Sequence, residues 1–224
     1  MALKKWMVNS TIKGITSVIC NIDAQQLERV PSKGPLIIVA NHINFLEVPV
    51  LVTRLQDRPI TGFVKKETYD NPVMAFLFNV WDGIPIRRGE PDLTAIRRGV
   101  DALEDGKILA ISPEGTRSNH GRLQKGHPGV VMMASLSGAP LLPIVYYGGE
   151  KYRQKWPRLR RTDFYIRVGQ PFDIRTEGVR LNSQIRQKIA DEIMYQLAVL
   201  LPPDYRGEYA DLSKATQKYI QFLS

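Results

Sequence analysis

The stretch "IIVANHINFLEVPVL", Ile37 to Leu51, joins a segment typical of a buried strand to a histidine and a carboxylate. Its first residues predict a strand, because short apolar runs rich in Ile and Val favour that structure. The run ends in Asn41-His42, and Glu47 follows five residues after the histidine. Ligands of open α/β sheets bind beyond the carboxyl ends of the strands, so His42 is a candidate functional residue.

The rest of the chain alternates short apolar runs with helical patterns, and this alternation predicts the fold class. Five more segments are predicted strands: "ITGFV", "GIPIR", "KILAIS", "LLPIVYY" and "DFYIRVG". Strands separated by helices favour an α/β domain with a mostly parallel central sheet flanked by helices. Residues 180–224 are predicted to be C-terminal helices, divided into two pieces by "PPDYRG" because proline interrupts a helix.

Composition limits the organisation of the chain and the kinds of partner it binds. With 224 residues, 43% of them hydrophobic, the chain is long enough for a single domain, residues 1–224, with a full core. Its one cysteine, Cys20, excludes an internal disulfide framework and a multi-cysteine zinc site, and fits a reducing compartment. The net charge of +9 predicts an anionic partner: nucleic acid, an anionic membrane, or an acidic or phosphorylated substrate.

Residues 1–20 form a candidate amphipathic helix. Lysines interrupt this segment, and no segment of the chain approaches the roughly 18 uninterrupted apolar residues that cross a bilayer. Six apolar residues lie close to one helical stripe, with the lysines off it: Leu3, Trp6, Met7, Ile15, Val18 and Ile19. This pattern fits a helix on a membrane surface, and it fits equally a terminal helix packed on its own domain.

The spacing of His42 and Glu47 limits where the two residues can meet. On a regular helix they would point about 140° apart, so His42 is predicted to lie on the turn before the helix. Glu47, in the first helical turn, then reaches one ring nitrogen and leaves the other to accept a proton. This is the base-orienting half of a catalytic triad without a serine or cysteine nucleophile, so the hydroxyl would belong to the substrate.

A structural role for Glu47 is an equal alternative. Asn44 and Glu47 have the spacing of a capping box, in which Asn44 caps the helix and Glu47 occupies its third position. Glu47 would then stabilise the start of the helix, and the spacing alone leaves both roles open.

Two further loops after predicted strands carry groups that suit an anion. "PEGTRS" follows "KILAIS" and offers Gly115 for close backbone approach, the Thr116 hydroxyl and the Arg117 guanidinium, which matches two phosphate oxygens. Arg87 and Arg88 follow "GIPI". These groups predict a phosphate pocket, and the alternative is an ordinary polar turn with solvated arginines.

Four blocks in order, "NHINFLE", "GIPIRRG", "PEGTRS" and "LLPIV", resemble the glycerol-phosphate and lysophospholipid acyltransferase family, most of all the bacterial 1-acylglycerol-3-phosphate acyltransferases. The resemblance covers roughly residues 30–170, which we take as the catalytic core. It implies transfer of a fatty acyl group from a thioester, acyl-coenzyme A or acyl carrier protein, to the free hydroxyl of a lysophospholipid. The implied acceptor is 1-acylglycerol-3-phosphate, which gives phosphatidic acid, and the implied location is peripheral or monotopic on the cytoplasmic face of a membrane.

The resemblance also implies roles for individual residues. His42 takes the place of the catalytic histidine, and Glu47 stands where the family has an aspartate. Substrate-binding roles are implied for six residues: Lys65, Arg88, Glu114, Gly115, Thr116 and Arg117. Backbone N–H groups near Gly115 are candidate donors to an oxyanion. The thioester is a substrate, so the resemblance implies no bound cofactor and no metal.

Other chemistries fit less well. The chain has no G-x-S-x-G elbow of a serine hydrolase, and its three histidines show no spacing of paired metal ligands. The main alternative is a basic binding module, because residues 151–167, "KYRQKWPRLRRTDFYIR", mix seven Lys and Arg residues with aromatic ones. Such a segment suits a membrane interface or single-stranded nucleic acid. Given the four blocks, we favour the membrane and expect no nucleic-acid partner.

Overall fold

The computed structural model describes residues 2–55, 57–87, 89 and 92–223. Within these ranges the chain forms seven α-helices and nine strands, joined by loops and short 3-10 turns. The helices are α1 (Ala2–Ile19), α2 (Glu47–Arg54), α3 (Pro72–Val80), α4 (Leu93–Glu104), α5 (Gly129–Ser137), α6 (Tyr152–Lys155) and α7 (Ser183–Leu200). The strands are β1 (Cys20–Asp23), β2 (Leu36–Ala40), β3 (Ile60–Lys65), β4 (Ile84–Ile86), β5 (Ile108–Ile111), β6 (Leu141–Tyr147), β7 (Thr162–Val168), β8 (Phe172–Ile174) and β9 (Ile220–Phe222).

The strands of the described residues form one sheet in the spatial order β1-β7-β6-β2-β5-β3-β4, with β8 beside β6 and β9 beside β8. The five neighbouring strands β6, β2, β5, β3 and β4 run parallel, and β1 runs parallel to β7. The pairs β6–β7, β6–β8 and β8–β9 are antiparallel. The predicted α/β class, with a mostly parallel sheet flanked by helices and an N-terminal helix, is therefore confirmed.

The central strand β2 shows how the core is divided. All five of its residues are buried. Ile37 and Val39 belong to a cluster with residues of α4, α5 and α7, whereas Leu36, Ile38 and Ala40 belong to a cluster with residues of α2 and α3. A strand covered by helices on both faces needs apolar residues at every position, which explains the uninterrupted run "LIIVA".

All six predicted strands are present, as β2 to β7. β1, β8 and β9, of three or four residues each, were not predicted. β7 departs from the parallel expectation and pairs antiparallel with β6, from Tyr147 opposite Tyr165 to Ile144 opposite Val168. The only α-helix between these strands among the described residues is α6, of four residues, so the chain turns back along its neighbour and does not cross over the sheet.

The prediction of helices throughout residues 180–224 is correct only for α7. Beyond it, Pro202 and Pro203 stop the helix, since proline lacks the N–H that a helix requires. Short 3-10 turns and the strand β9 follow. Gly207 packs so closely on Leu123 that a Cβ atom would overlap its carbonyl oxygen, and the Leu123 carbonyl accepts the N–H of Glu208 at 3.1 Å. The tail is therefore fixed to the domain by backbone contacts that helical periodicity does not reveal.

Helix α1 packs on the domain through buried polar residues and through the half-buried Ile12 and Ile19. Asn9 and Thr16 are buried, and α1 packs beside α2. Ile19 of the apolar stripe packs on the core, whereas the other five stripe residues are more than half exposed: Leu3, Trp6, Met7, Ile15 and Val18. The helix thus packs on its own domain, and these five apolar residues remain exposed on its outer side. None of the described helices is both long and apolar enough to cross a bilayer.

Candidate active site

Four neighbouring strands bring the sequence blocks together. β2, β5, β3 and β4 are adjacent and parallel, so the loops at their carboxyl ends lie along one edge of the sheet, roughly 5 Å apart per strand. A cavity of about 780 Å³ opens at this edge. Its polar lining includes His42, Glu47, Arg87, Glu114, Gly115 and Thr116.

His42 and Glu47 meet as their spacing predicts. His42 lies in the loop between β2 and α2, and Glu47 is the first residue of α2. Nδ1 of His42 is 2.7 Å from Oε2 of Glu47. A carboxylate only accepts hydrogen bonds, so the ring donates from Nδ1 and keeps Nε2 as an acceptor. The His42 side chain is 23% exposed and Glu47 is 4% exposed, so the carboxylate is enclosed while the ring reaches the cavity.

The second oxygen of Glu47 has the structural role. Oε1 accepts the backbone N–H groups of Ile43 at 3.2 Å and of Asn44 at 2.8 Å. Asn44 is not the helix cap, because its side chain accepts the N–H of Leu46 at 2.8 Å and the cap position falls on Leu46. One oxygen of Glu47 thus contacts the histidine ring and the other stabilises the turn, so this geometry is compatible with both roles that the spacing left open.

Glu114 fixes the backbone of the histidine loop. Its side chain is buried, Oε1 accepts the N–H of His42 at 2.8 Å, and Oε2 accepts the N–H of Gln124 at 2.9 Å. The N–H of Ser118 donates to the His42 carbonyl at 2.8 Å, and the N–H of Asn119 donates to the next carbonyl at 2.9 Å. With each oxygen already bonded to the backbone, Glu114 is arranged to support His42.

Burial raises the pKa of Glu47 and the pKa of Glu114, because removal from water disfavours a charged carboxylate. Hydrogen bonds from His42, Asn44 and Ile43 oppose this effect at Glu47. A carboxylate held in such a poorly solvated place interacts strongly with a positive charge beside it.

The cations implied as phosphate ligands are distributed over three loops. Arg117 is exposed in the loop after β5, and Lys65 ends β3 with Nζ 3.8 Å from Oε2 of Glu67. Arg87, after β4, lines the cavity. Arg88 lies outside the described residues. Among the described residues the cavity lining includes Arg87 but neither Lys65 nor Arg117.

Gly115 occupies a turn that favours glycine. Its φ of 67° lies in the left-handed region, and a Cβ atom there would be 3.5 Å from the His127 ring. Its N–H donates to the Ser112 carbonyl at 3.1 Å and is therefore already engaged. An oxyanion donor from this loop would have to be a neighbouring N–H group, such as that of Thr116, which lines the cavity.

Away from these polar groups the cavity is apolar. Gly62 of β3 pairs in register with Ala110 of β5, and both line the cavity. A Cβ atom on Gly62 would lie 2.9 Å from the Ala110 carbonyl oxygen, so a larger residue requires a backbone shift. Apolar side chains of α2 and α3, including Leu51 and Phe78, form the opposite wall. The small residues on the sheet thus leave room for an apolar ligand.

The polar lining residues to which the sequence assigned no role include Asn41, Ser112 and Tyr146. Asn41 ties the histidine loop to β6, because its amide donates to the Tyr146 carbonyl at 2.9 Å and accepts the Tyr146 N–H at 2.8 Å. The position of Asn41, a polar residue directly after an apolar strand, was a sequence signal that could have indicated this role. Ser112 Oγ is buried without a hydrogen-bond partner among the described residues, and no sequence signal separates it from other serines at strand ends.

The chain is similar to a known enzyme family. A family model described as Acyltransferase matches residues 21–147. A chloroplastic 1-acyl-sn-glycerol-3-phosphate acyltransferase of Brassica napus is 30% identical over 58% of this chain and 38% of its own length. A 1-acyl-sn-glycerol-3-phosphate acyltransferase of Pseudomonas aeruginosa is 25% identical over 89% of this chain and 78% of its own length. The match thus spans little more than a third of the plant relative and over three quarters of the bacterial one.

The fold is also similar to a solved structure. The 1-acyl-sn-glycerophosphate (LPA) acyltransferase PlsC from Thermotoga maritima superposes with a TM-score of 0.65, over 87% of this chain and 77% of that one. The identity is 20%, so this likeness concerns the fold.

Proposed function

The chain belongs to the acyltransferase family, and from that premise we propose that it is a 1-acyl-sn-glycerol-3-phosphate O-acyltransferase. It moves a fatty acyl group from a thioester to the free hydroxyl of the lysophospholipid and so makes phosphatidic acid. The observation that carries the proposal is the His42–Glu47 pair, 2.7 Å apart, at the opening of a large and mainly apolar cavity.

The reaction uses His42 as a general base. Nε2 takes the proton of the acceptor hydroxyl while the hydroxyl oxygen attacks the thioester carbonyl carbon. Glu47 holds the ring in the required tautomer and stabilises the imidazolium. The carbon–sulfur bond then breaks, and the imidazolium returns the proton to the departing thiolate. Ester and thiol are the products, and no covalent bond to the protein forms.

The cavity suits the acyl chain of such a substrate. Its volume of about 780 Å³ lies in the range of pockets that enclose small ligands. Gly62 and Ala110 leave space above the sheet, and α2 and α3 supply apolar walls. A saturated chain gains about 0.8 kcal/mol for each methylene removed from water, so the chain adds most of the binding energy.

The phosphate of the acceptor fits the mouth of the cavity. Arg117 follows β5, the strand next to β2, so its loop neighbours the histidine loop. Lys65 is the last residue of the next strand, β3, and Arg87 follows β4, so the long side chains of these residues are needed to span the intervening distance. Arginine suits this task because its planar fork matches two phosphate oxygens. We extend the same role to Arg88.

The proposal is tested with purified protein, a set of lysophospholipids, and both acyl-coenzyme A and acyl carrier protein as donors. The expected product, identified by mass spectrometry, is phosphatidic acid from 1-acylglycerol-3-phosphate. Lysophosphatidylcholine, whose phosphate carries one charge less, is the control acceptor and should react much more slowly. Absence of any ester product with every pair of donor and acceptor would exclude the proposed function.

We also propose that the enzyme works on an anionic membrane surface at its cytoplasmic face. The exposed stripe of α1 provides apolar residues, and the basic tip, residues 151–161, provides positive charge. Trp156 and Leu159 of this tip are exposed, with Leu159 at 88%. Arg161 donates to the carbonyls of Ser17 and Cys20, at 2.7 Å each, and thus joins the tip to the end of α1. Apolar area rimmed by basic residues is typical of contact with lipid.

Nucleic-acid binding by the basic segment has less support. Stacking with bases requires free aromatic faces. Phe164 is fully buried, and Tyr165 stacks on Tyr147 with ring centroids 4.8 Å apart. Tyr152 and Trp156 are the remaining aromatic residues of residues 151–167. The segment therefore suits a membrane interface better than single-stranded nucleic acid.

Replacement of Leu3, Trp6 and Met7 by glutamine is expected to weaken binding to anionic vesicles by at least tenfold, about 1.4 kcal/mol. The three side chains are exposed, so the change removes apolar contact with lipid and leaves the buried face of α1 intact. Sedimentation with vesicles measures the binding. Activity on an acceptor embedded in vesicles should fall further than activity on a short-chain, soluble acceptor.

Charge reversal at Arg158 and Arg160 should reduce binding to anionic vesicles most strongly at low salt, where screening is least. Arg161 is left unchanged, because it binds carbonyls at the end of α1. Lys188→Glu is the matched control, since α7 covers the other face of the sheet. If the unmodified protein stays in the supernatant with anionic vesicles at low salt, the membrane proposal fails.

A further inference from the structure

Ser112 continues strand β5 directly, because the last residue of that strand is Ile111. Along β5 the side chains alternate between the two faces of the sheet: Leu109 belongs to the cluster with α4, α5 and α7, whereas Ala110 packs against the cluster with α2 and α3. Because successive side chains of an extended chain point to opposite faces, Ser112 is expected on the face of Ala110. That face carries the cavity, and both residues belong to its lining.

The register of the sheet places Ser112 beside the histidine loop. β2 and β5 are parallel neighbours, about 4.8 Å apart, with Val39 opposite Ile111. The next residues, Ala40 and Ser112, are therefore also neighbours, and His42 follows Ala40 by two residues. Ser112 thus lies where the polar end of the cavity meets its apolar part.

The hydroxyl of Ser112 has no partner in the part of the chain that the structure describes. Its Oγ is buried and makes no hydrogen bond there. The carbonyl of the same residue accepts the N–H of Gly115 at 3.1 Å, so the backbone of Ser112 stabilises the turn while the side chain does not. A buried hydroxyl without a partner is unfavourable, and a ligand in the cavity would supply one. Rotation about the single Cα–Cβ bond gives the hydroxyl two other staggered positions, from which it can turn to such a ligand.

We propose that Ser112 is a further catalytic residue, whose hydroxyl donates a hydrogen bond to the carbonyl oxygen of the acyl donor; this inference rests on the proposed acyltransferase function. Ala110 and Ser112 are about 7 Å apart along one face, given ~3.4 Å per residue. An acyl chain that lies over Ala110 and ends in a thioester beside His42 must therefore pass Ser112. The thioester carbonyl then comes within reach of the serine hydroxyl.

The hydrogen bond acts while the acceptor oxygen attacks the carbonyl carbon. The electrons of the carbonyl double bond then move to its oxygen, which becomes negatively charged, and they return when the carbon–sulfur bond breaks. A hydroxyl donor beside this oxygen stabilises the charged form more than the neutral carbonyl. Ser112 keeps its proton throughout and forms no covalent bond. Since the N–H of Gly115 is engaged with the Ser112 carbonyl, this side-chain donor adds to the neighbouring N–H groups of the turn.

Ser112→Ala is expected to change the rate and the stability in opposite directions. The rate constant kcat should fall by about 10², a usual effect of removing one such donor, while KM for the acyl donor changes little. The melting temperature should rise by about 2–4 °C, because the substitution removes a buried hydroxyl without a partner and keeps the backbone bond to Gly115. Steady-state rates with a soluble acceptor and thermal melting measure the two quantities. Normal turnover, or a lower melting temperature, would overturn the inference.

Thr162→Val is the matched control for this substitution. Oγ1 of Thr162 is likewise buried without a hydrogen-bond partner among the described residues. Thr162 begins β7 and, in the ranges that the structure describes, does not belong to the cavity lining. Valine has nearly the shape of threonine, so the change removes little besides the hydroxyl. This variant should melt at a similarly higher temperature and keep its kcat, and a comparable loss of kcat would show that the effect of Ser112→Ala does not come from the site.

A spectroscopic measurement of bound donor separates this inference from the proposed function. Acyl-coenzyme A, or the acyl carrier protein thioester if the unmodified enzyme prefers it, carries carbon-13 at its thioester carbonyl and is bound without an acceptor. A hydrogen bond to the carbonyl oxygen lowers its stretching frequency, so isotope-edited infrared difference spectra should show a lower frequency with the unmodified protein than with Ser112→Ala. Equal frequencies in the two proteins would overturn the inference. A frequency that depends on Ser112, together with no acyl transfer to any acceptor, would instead reject the proposed function and retain the contact.

Discussion

His42→Ala is expected to lower acyl transfer by a factor of roughly 10² or more, because the variant has no base for the acceptor hydroxyl. The fold should persist, since the ring is partly exposed in a loop and the backbone bonds of this residue to Glu114 and Ser118 do not depend on its side chain. Steady-state rates with 1-acylglycerol-3-phosphate, alongside circular dichroism and thermal melting, measure both quantities.

The other two histidines are the controls for this substitution. His127 lines the same cavity, whereas His120 is outside its lining among the described residues. His127→Ala and His120→Ala should each retain most of the activity. Near-normal turnover by a folded His42→Ala variant, or a comparable loss in His127→Ala, would show that the base has been assigned to the wrong residue.

Glu47→Gln is expected to reduce the rate by about 10² while the melting temperature changes little. The amide oxygen can still accept the N–H groups of Ile43 and Asn44, which maintains the turn. The amide nitrogen then faces Nδ1 of His42 and donates to it, so the ring proton moves to Nε2 and the base is lost. Thermal melting measures the effect on stability, and kcat at saturating substrate measures the effect on the rate.

Glu47→Asp tests the same assignment by a different change: its shorter side chain should lose the contact with the ring and the contacts with the turn together. Aspartate withdraws the carboxylate by about 1.5 Å, so the backbone donors of the turn lose their acceptor as well as the ring. Stability should then fall by about 1–3 kcal/mol together with the rate. If Glu47→Gln melts early but turns over normally, Glu47 is a structural residue and its role as a positioning residue for His42 is wrong.

The parts of this site that were predictable from sequence depend on residues close together in the chain. His42 and Glu47 are five residues apart, so helix geometry alone required the histidine to precede α2. The central strands were also predictable, because burial on both faces leaves an uninterrupted apolar run. Local geometry and the strong apolar pattern thus accounted for the contact between His42 and Glu47 and for the parallel sheet.

The remaining features depend on contacts between distant segments. Glu114 reaches the His42 backbone across 72 residues, and nothing in "PEGTRS" distinguishes a carboxylate that supports a loop from one that binds a ligand. The outward orientation of the α1 stripe depends on Asn9 meeting Trp81, also 72 residues away. The strand β9 depends on pairing with β8. Such pairings arise from the tertiary fold, which periodicity within one segment does not encode.

The hydrogen bonds between the histidine loop and the loop after β5 affect how the protein opens to admit a lipid. Surface loops usually unfold locally at little cost, well below the free energy of global unfolding. Here the His42 N–H and carbonyl are both bonded to the neighbouring loop, and separation of the two loops would leave Oε1 of the buried Glu114 carboxylate without its hydrogen-bond donor. Fluctuations of this edge should therefore be nearly as rare as those of the sheet. We expect the motions that admit a ligand to occur instead at the wall made by α2 and α3, where helices lie against the cavity without strand pairing.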